Sequence, residues 1–411
     1  MKTRKPVPNL LLPKVYQING HKSNQIFRSY LFFRQDRLQS NAERLKTGTP
    51  PCAEWKIASI ERDGETKMKA IVKTQAGPGA EVCDVPEPQI AKSDFVKVRV
   101  LATSICGTDY HIYSWDKWSA GRVRPPRIMG HEFAGEIVEV GADVTHLKAG
   151  DYVSGESHWT CGHCKQCLLN ERHVCANTKI LGVDVDGCFA PYVVVPQGSV
   201  WKNDRAIPPH LACIQDPLGN AVHATLAGEI IGRSVVVLGC GPIGIFAVAV
   251  AKAAGASAVY ATDTKPYRLD LARQLGATAV LNAATDDVET FIAEHTDGLG
   301  VDVALEMSGA PSAIRQAMRV TRRGGRVSLM GIPAQNVELD IAEDMIFKGL
   351  TIQCIVGRRL YETWDTMRAM LASGRLDVAP VITHQLPFEQ YDHGMALMRD
   401  GLCGKVVFNL E

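Results

Sequence analysis

The sequence predicts an α/β protein that combines a β-rich, barrel-like part with a doubly wound parallel sheet. Apolar and polar residues alternate over 96–100, the period-2 pattern of a half-buried strand, and similar short segments recur from Met68 to about Asn220. From about Ala221 to Val356, apolar strand segments instead alternate with helical segments, which is typical of a parallel sheet. We therefore expect three regions: an N-terminal extension over 1–67, a β-rich domain over 68–220 and 357–411, and a parallel α/β domain over 221–356.

In the β-rich part, short strands are predicted between turns rich in Gly and Pro. They are expected at 69–72, 95–102, 135–140, 150–153 and 192–195. The end of the chain returns to short mixed elements and closes with a strand over 405–408. We expect this C-terminal segment to pack back onto the β-rich part.

In the α/β part, strands are predicted at 234–238, 258–262, 279–281, 301–306, 325–329 and 351–355, with helices ending at 254 and over 266–275. Residues 234–251 carry no charge and approach the length of a membrane-spanning helix. Three glycines and Pro242 lie in the middle of this segment. They favour a buried strand, a turn and a buried helix over a membrane span.

The composition is that of a soluble globular protein. The 411 residues are 46% hydrophobic and 22% charged, with a formal net charge of +1. Nothing in this balance favours nucleic acid or a membrane surface as a partner. Five of the twelve cysteines fall into metal-type patterns and the others are scattered. This distribution favours reduced thiols in the cytoplasm over a disulfide scaffold.

Residues 1–67 differ from the rest of the chain. The first 50 contain ten Lys and Arg against two acidic residues, with no sustained apolar periodicity. Because Met68 opens the first clear strand, a disordered tail or a start codon assigned too early is the favoured interpretation. A mitochondrial transit peptide, which is also Arg-rich and poor in acids, stays open as the alternative.

A glycine-rich turn at 239–244 predicts a dinucleotide site. In the Gly-x-Gly-x-x-Gly pattern, Gly239 makes the tight turn, Gly241 lets a pyrophosphate approach the backbone, and Gly244 permits close packing of helix on strand. The N-terminus of the following helix supplies amide donors. Because the pattern follows an apolar strand and opens a helix, it is more informative than the motif alone.

Asp263 stands about 20 residues after the glycines, at the end of the next predicted strand. A carboxylate there accepts hydrogen bonds from ribose hydroxyls and repels a 2′-phosphate, which favours NAD over NADP. Arg268 follows one turn later and could instead bind that phosphate. With Asp263 present, we expect Arg268 to have a packing or ribose role.

Two groups of residues have the chemistry of metal ligands. Four thiols occur as Cys161-x2-Cys164-x2-Cys167-x7-Cys175, a spacing that suits a closed tetrahedral zinc, with an iron–sulfur cluster as the alternative. The second group offers one thiol, one imidazole and one carboxylate from Cys106, His131 and Glu132. Such mixed sets hold zinc where a coordination position is kept open for chemistry.

A hydroxyl and an imidazole follow the first residue of the mixed group. Thr108 and His111 could pass a proton in series from a substrate hydroxyl to solvent. Cys106 and His131 are both expected in turns flanked by glycine. Either residue alone is more often structural than a metal ligand.

The motifs at 104–111, 130–135, the four-cysteine segment and 239–244 together resemble the zinc-dependent medium-chain alcohol dehydrogenases. The resemblance covers Met68 to the C-terminus and implies a GroES-like catalytic domain, a Rossmann domain, NAD and two zinc ions per subunit. Segments 106–119, 216–223, 306–311, 346–350 and 380–384 resemble the members of this family that act on L-threonine. The expected reaction is oxidation of the C3 hydroxyl of L-threonine to 2-amino-3-oxobutanoate.

The resemblance also assigns residues, position by position. It implies Cys106, His131 and Glu132 as ligands of a catalytic zinc and the four cysteines as ligands of a structural zinc. Thr108 and His111 would form the proton relay, and Asp216 would either approach the catalytic zinc or relay a proton. The cofactor contacts it implies are Gly239, Gly241, Ile243, Gly244, Asp263, Arg268, Met330, Gly331, Ile332, Ile355 and Val356.

Several points stay open at this stage. The ammonium and carboxylate of the substrate need polar partners, and Glu156, His158, Tyr113 and Trp115 are candidates unless they serve loop packing. A polyol or 2,3-butanediol dehydrogenase is the alternative within the same family. A non-catalytic nucleotide-binding protein is the alternative of another class, and the intact ligand set argues against it. The family usually forms homotetramers.

Overall fold

The computed structural model describes residues 66–410. The predictions for 1–65, namely a tail, a transit peptide or an early start, lie outside the described residues. Within 66–410, no helix is long and apolar enough to cross a membrane. Ten of the cysteines in this described range are free thiols. Cys83 is disulfide-bonded, so the expectation of reduced thiols is not met at that position.

The described part of the chain contains eighteen strands and eleven α-helices. The strands are β1 Lys67–Lys73, β2 Glu81–Pro86, β3 Phe95–Ser104, β4 Arg127–Ile128, β5 Glu132–Val140, β6 Tyr152–Gly155, β7 His158–Trp159, β8 Lys179–Ile180, β9 Tyr192–Pro196, β10 Val200–Lys202, β11 Ser234–Leu238, β12 Ala258–Asp263, β13 Ala279–Asn282, β14 Val301–Glu306, β15 Thr321–Leu329, β16 Thr351–Cys354, β17 Ile382–Pro387 and β18 Lys405–Asn409. The helices are α1 Gly107–Ser114, α2 Lys117–Arg122, α3 Lys165–Leu168, α4 Pro209–Ala212, α5 Gln215–Thr225, α6 Pro242–Ala253, α7 Pro266–Gln274, α8 Val288–Glu294, α9 Pro311–Val320, α10 Glu362–Ala372 and α11 Tyr391–Asp400.

The β-rich part is built around β3. This strand pairs antiparallel with β5, β9 and β18 within a seven-stranded sheet. Its apolar residues Val96, Val98 and Val100 are buried, as their alternation predicts. Pairing of Phe408 with Thr103 brings the C-terminal strand back onto this part, as expected.

The second sheet contains six parallel strands in the order β13-β12-β11-β14-β15-β16. The order reverses between β11 and β14, and in open α/β sheets ligands bind beside the carboxyl ends of the strands at such a point. Both β11 and α6 are almost entirely buried, which explains why 234–251 lacks charge. The predicted strand, turn and helix are confirmed there.

The two parts share one hydrophobic cluster. Ala102 and Val407 of the antiparallel sheet belong to the same buried cluster as Val235 and Leu305 of the parallel sheet. Helix α5 runs through the predicted border at 220/221, so a continuous helix joins the two parts. The α/β fold class predicted from the sequence is confirmed.

Candidate active site and metal centres

The end of β3 and the start of β5 bring the mixed ligand group together. Ser104 is paired with Glu132 in the sheet register, which places Cys106 next to His131 and Glu132. Their sulfur, ring-nitrogen and carboxylate-oxygen atoms all lie within 4.8 Å of one another. The cluster is sheltered, since His131 and Glu132 are buried and Cys106 is partly buried.

This group fits a divalent cation that accepts both soft sulfur ligands and harder nitrogen and oxygen ligands. Within residues 66–410, Glu132 Oε1 is buried and lacks a hydrogen-bond partner, whereas His131 Nδ1 lies 3.4 Å from the buried Asp109 Oδ1. Buried polar atoms are normally satisfied, so an unpaired carboxylate oxygen beside a thiol and an imidazole is the donor arrangement that zinc satisfies. The prediction that these three residues could hold a metal therefore agrees with the geometry.

The second oxygen of Glu132 is held by a lysine from the C-terminal strand. Glu132 Oε2 accepts hydrogen bonds from Ser104 Oγ and Lys405 Nζ. Lys405 is fully buried, and its Nζ also donates to the Ile105 carbonyl at 2.6 Å. Burial disfavours the ammonium, but the Glu132 carboxylate outweighs this and raises the pKa of Lys405 above its ordinary value.

Thr108 and His111 lie on α1, a short helix that the sequence patterns did not predict and that begins directly after Cys106. Cys106 is the N-cap residue, and its N–H donates to Asp109 Oδ2 at 2.9 Å, so a capping interaction starts the helix there. Thr108 Oγ1 lies 3.8 Å from Cys106 Sγ. His111 is three residues further on, on the same helix face, and its side chain is 57% exposed. The helix thus leads from the ligand cluster toward solvent.

Asp216 lies on α5 and is buried, and it is not part of the ligand groups found among the described residues. Its Oδ1 accepts from the Ser157 N–H at 3.1 Å, and its Oδ2 accepts from Arg358 Nη1 at 3.0 Å. Arg358 is itself fully buried. The carboxylate is therefore satisfied by the protein.

The Arg358 guanidinium also holds Glu156. Nε donates to Glu156 Oε2 at 2.8 Å and Nη2 donates to Oε1, while Trp364 Nε1 donates to Glu156 Oε2 at 2.7 Å. Glu156 is 1% exposed. The suggestion that Glu156 binds the substrate ammonium does not match this geometry, because its charge is already balanced in the core. Arg358 lies two residues after Val356, the last predicted cofactor-contact position, and no sequence motif singled it out.

The four-cysteine segment forms a compact lobe around α3. The sulfur atoms of Cys161, Cys164, Cys167 and Cys175 lie within 4.8 Å of one another. Backbone N–H groups of Cys164 and Asn177 point at sulfurs at 3.4 Å. The Asn177 side chain and neighbouring N–H groups lower the pKa of Cys161 to about 5, which favours the thiolate that a metal binds. These four residues also fit a metal.

The glycine-rich turn connects β11 to α6 at the point where the strand order reverses. Gly239 has φ +99, and added Cβ atoms at Gly239 and Gly244 would collide with neighbouring residues. A Cβ at Gly241, the N-cap of α6, would meet no atom within 4 Å. There is open space over the helix N-terminus, where a pyrophosphate would approach.

Asp263 ends β12 beside this turn. Its Oδ2 accepts from the Cys240 N–H at 2.8 Å and its Oδ1 from the Lys265 N–H at 2.9 Å. Arg268 Nη1 lies 3.9 Å from Asp263 Oδ2. Asp263 and Arg268, the two residues predicted to lie near the ribose, are therefore both found at the carboxyl end of the parallel sheet.

Five of the remaining predicted cofactor positions follow strands at the same end of the sheet, whereas Ile243 lies in the first turn of α6. Met330, Gly331 and Ile332 come after β15, and Ile355 and Val356 come after β16. Ile332 and Val356 are exposed, although both are apolar. Exposed apolar side chains at the carboxyl ends of the strands form a surface against which a flat ring of a cofactor can pack.

The fold and the site together define a class of protein. A parallel sheet with a nucleotide turn, a mixed metal-ligand group at the neighbouring antiparallel sheet and a separate four-thiol lobe are the parts of a metal-assisted dehydrogenase.

Two family models match. Residues 92–208 match the alcohol dehydrogenase GroES-like domain, and residues 242–373 match the zinc-binding dehydrogenase model. A protein of Symbiobacterium thermophilum named L-threonine 3-dehydrogenase is 52% identical over 83% of this chain and 97% of its own length. A protein of the same name from Bacillus licheniformis is 51% identical over 83% of this chain and 98% of its own.

Solved structures agree with this relationship. The alcohol dehydrogenase of Thermus sp. ATN1 superposes with a TM-score of 0.78 at 30% identity, covering 84% of this chain and all of that one. Two further neighbours, at 28% and 27% identity with TM-scores of 0.77 and 0.75, were solved with NADP and NADH respectively. The first covers 84% of this chain and 100% of its own, and the second 84% and 99%.

The chain belongs to the zinc-dependent medium-chain alcohol dehydrogenase family. It is an oxidoreductase with a GroES-like domain and a Rossmann-type sheet, and its chemistry uses zinc and a nicotinamide cofactor. Within the family, the curated proteins named above are L-threonine 3-dehydrogenases. The family resemblance inferred from the sequence motifs is thereby confirmed.

Proposed function

We propose that this protein oxidises the C3 hydroxyl of L-threonine to 2-amino-3-oxobutanoate with NAD as hydride acceptor. The observation that carries the proposal is the Cys106, His131 and Glu132 donor group, within 4.8 Å, with Thr108 beside it. The substrate is suggested by relatives of that name, about half identical over nearly their whole length. A polyol or 2,3-butanediol remains the alternative substrate class.

Two zinc ions per subunit are part of this proposal. Cys106, His131 and Glu132 would hold the catalytic ion, and Cys161, Cys164, Cys167 and Cys175 the structural one. When bound, the catalytic ion supplies a Lewis acid that makes a substrate hydroxyl more acidic, and NAD accepts the hydride. Four thiolates form a closed site that stabilises the lobe without chemistry, with an iron–sulfur cluster as the alternative occupant.

NAD is favoured over NADP by the position of Asp263. Its carboxylate lies at the end of β12 beside the nucleotide turn, where it can accept hydrogen bonds from ribose hydroxyls. It would repel a 2′-phosphate. The charge of Arg268 is partly offset by the same carboxylate at 3.9 Å, which supports a packing or ribose role.

The chain's own residues would provide the proton path. Thr108 Oγ1 is close enough to the ligand group to accept a hydrogen bond from a substrate hydroxyl bound there. His111 lies one helical turn further toward solvent and would take the proton to bulk water. Asp216 would act indirectly, because Arg358 and the Ser157 N–H hold its carboxylate in place.

A homotetramer in the cytoplasm completes the proposal. β16 is an edge strand of the parallel sheet, and such an edge can pair with a second copy. Ile341, Ile346 and Phe347 expose apolar side chains just before this strand, which supports burial of the surface in an assembly. Light scattering of purified protein measures the number of subunits.

The decisive test of the site combines zinc content with turnover. We expect Cys106→Ser to lower both the zinc bound per chain and the turnover number with L-threonine. Cys354→Ser, at an exposed thiol outside both ligand groups, is the matched control and should change neither. If Cys106→Ser kept full turnover after losing one zinc per chain, the proposed role of this group would be wrong.

A further inference from the structure

A carboxylate is held directly against the proposed relay histidine. Helix α1 ends at Ser114, Trp115 has left-handed backbone angles with φ 58, and α2 begins at Lys117. This turn points Asp116 back toward α1, and its Oδ2 lies 2.6 Å from Nδ1 of His111. The distance is that of a strong charge-assisted hydrogen bond.

Asp116 cannot turn away from the ring without breaking a second interaction. Its Oδ1 accepts from the Ser119 N–H at 2.9 Å and so caps α2, and the Ser119 hydroxyl donates to the Asp116 carbonyl at 3.0 Å. One oxygen is occupied by the helix and the other faces His111. The orientation of the carboxylate is therefore set by the local fold.

We infer that Asp116 is a positioning residue of the proton relay, which fixes the tautomer of His111 with the proton on Nδ1 and leaves Nε2 free to accept one. This inference rests on the proposed function, because it requires His111 to be the relay base. An ionised carboxylate only accepts hydrogen bonds, so the hydrogen between the two groups belongs to Nδ1. In the neutral ring, the lone pair then resides on Nε2.

The charge of Asp116 supports the same role. Partial burial acts to raise its pKa, but hydrogen bonds from the Ser119 N–H and the His111 ring outweigh this and hold the pKa of Asp116 below its ordinary value. When Nε2 takes a proton originating from the substrate hydroxyl, the ring becomes a cation beside this carboxylate. The ring then returns the proton to water, since its side chain is 57% exposed.

The plane of the ring is constrained as well. The Trp118 ring meets the His111 ring edge-on, with centroids 6.2 Å apart. Asp116 and Trp118 thus contact the imidazole from the same short segment. The ring is held in one orientation although it is exposed, which an isolated surface histidine would not be.

The test replaces the carboxylate with an amide. In Asp116→Asn the side-chain NH2 can donate to Nδ1, which moves the ring proton to Nε2. We expect kcat to fall by at least about tenfold. The KM values should stay within about twofold. In the wild type, 15N NMR of the imidazole should show the proton on Nδ1, and in Asp116→Asn on Nε2. Asp116→Glu, which keeps the carboxylate, should recover part of kcat.

Asp287→Asn is the matched control. Asp287 caps α8 through the Thr290 N–H at 3.1 Å, in the parallel-sheet part, and should leave kcat unchanged. In a His111→Gln background, Asp116→Asn should add no further loss of kcat. An equal loss in both backgrounds, or an unchanged tautomer in Asp116→Asn, would overturn the inference. Because the tautomer is measured without substrate, the inference about Asp116 and the proposed substrate can fail separately.

Discussion

Removing Arg358 should destabilise the protein strongly, because one guanidinium neutralises two buried carboxylates. Glu156 and Asp216 are 1% and 4% exposed and both contact the Arg358 side chain, which is itself 1% exposed. In Arg358→Met, Asp216 remains in the core without a counter-charge, and Glu156 keeps only His158, whose Nδ1 lies 3.2 Å from Glu156 Oε1. Breaking a buried ion pair by removing one partner costs about 3–5 kcal/mol, which we take as the expected loss. This is a large part of the roughly 5–15 kcal/mol that typically stabilises a domain.

Urea unfolding, followed by the intrinsic tryptophan fluorescence of the protein, measures this loss. The matched control is Arg368→Met, because Arg368 pairs with Asp365 at 2.7 Å but its side chain is 59% exposed. An exposed pair of this kind contributes only about 0–1 kcal/mol. Adding Glu156→Gln to Arg358→Met should recover part of the stability. Equal unfolding midpoints for Arg358→Met and Arg368→Met would refute the reasoning.

The ion pair between Arg358 and Glu156 also predicts how the stability of the protein depends on pH. Burial acts to raise the pKa of Glu156, but the charge of Arg358 outweighs it and holds that pKa far below its ordinary value. A depressed carboxyl pKa stabilises the fold fully above the unfolded pKa of about 4.3, and this stabilisation is lost as the pH falls through the folded pKa. Wild-type stability should therefore decline below about pH 4. The Arg358→Met variant should show a smaller decline, and parallel pH profiles of the two proteins would contradict this explanation.

Three further substitutions test other parts of the site. Cys164→Ser should lower the melting temperature and remove one zinc per chain, whereas Cys354→Ser should change neither. Thermal unfolding and metal analysis measure the two effects, and an unaltered metal content in Cys164→Ser would argue against a closed four-thiol site. Lys405→Met should cost the metal-free protein about 3 kcal/mol, because Glu132 loses its buried counter-charge. Added zinc should restore part of this in urea unfolding, whereas no response to zinc would count against Glu132 as a ligand. Gly241→Val should raise the Kd for NAD at least about tenfold with little change in stability, because no protein atom lies within 4 Å of the added Cβ. Calorimetric titration with NAD measures this change, and an unaltered Kd would contradict the placement of the pyrophosphate.

Local sequence patterns were sufficient to predict the strands of the parallel sheet. Strand β11 begins and ends where the apolar run predicts, and the glycine turn lies between it and α6, because each feature depends on residues close together in the chain. The four-cysteine lobe was predictable for the same reason. Its ligands lie within one short segment, and their spacing limits the geometry that they can adopt.

Arg358 and Lys405 were not predicted from the sequence, because each of them contacts partners that are far away along the chain. Arg358 is 202 residues from Glu156, and Lys405 is 273 residues from Glu132. A buried basic residue has no local pattern that distinguishes it from an exposed one before its partners are known. Helix α1 was missed because it is only eight residues long and its start depends on the capping contact between Cys106 and Asp109.

The most direct test of the proposed activity is the rate of NADH formation by the zinc-loaded protein with L-threonine, 2,3-butanediol and sorbitol, each over a range of concentrations. We predict that kcat/KM for L-threonine exceeds the other two by at least about tenfold, because a site with partners for the ammonium and carboxylate loses those contacts with a simple diol. A higher kcat/KM for 2,3-butanediol or sorbitol, or no NADH formation with L-threonine, would contradict the proposed function.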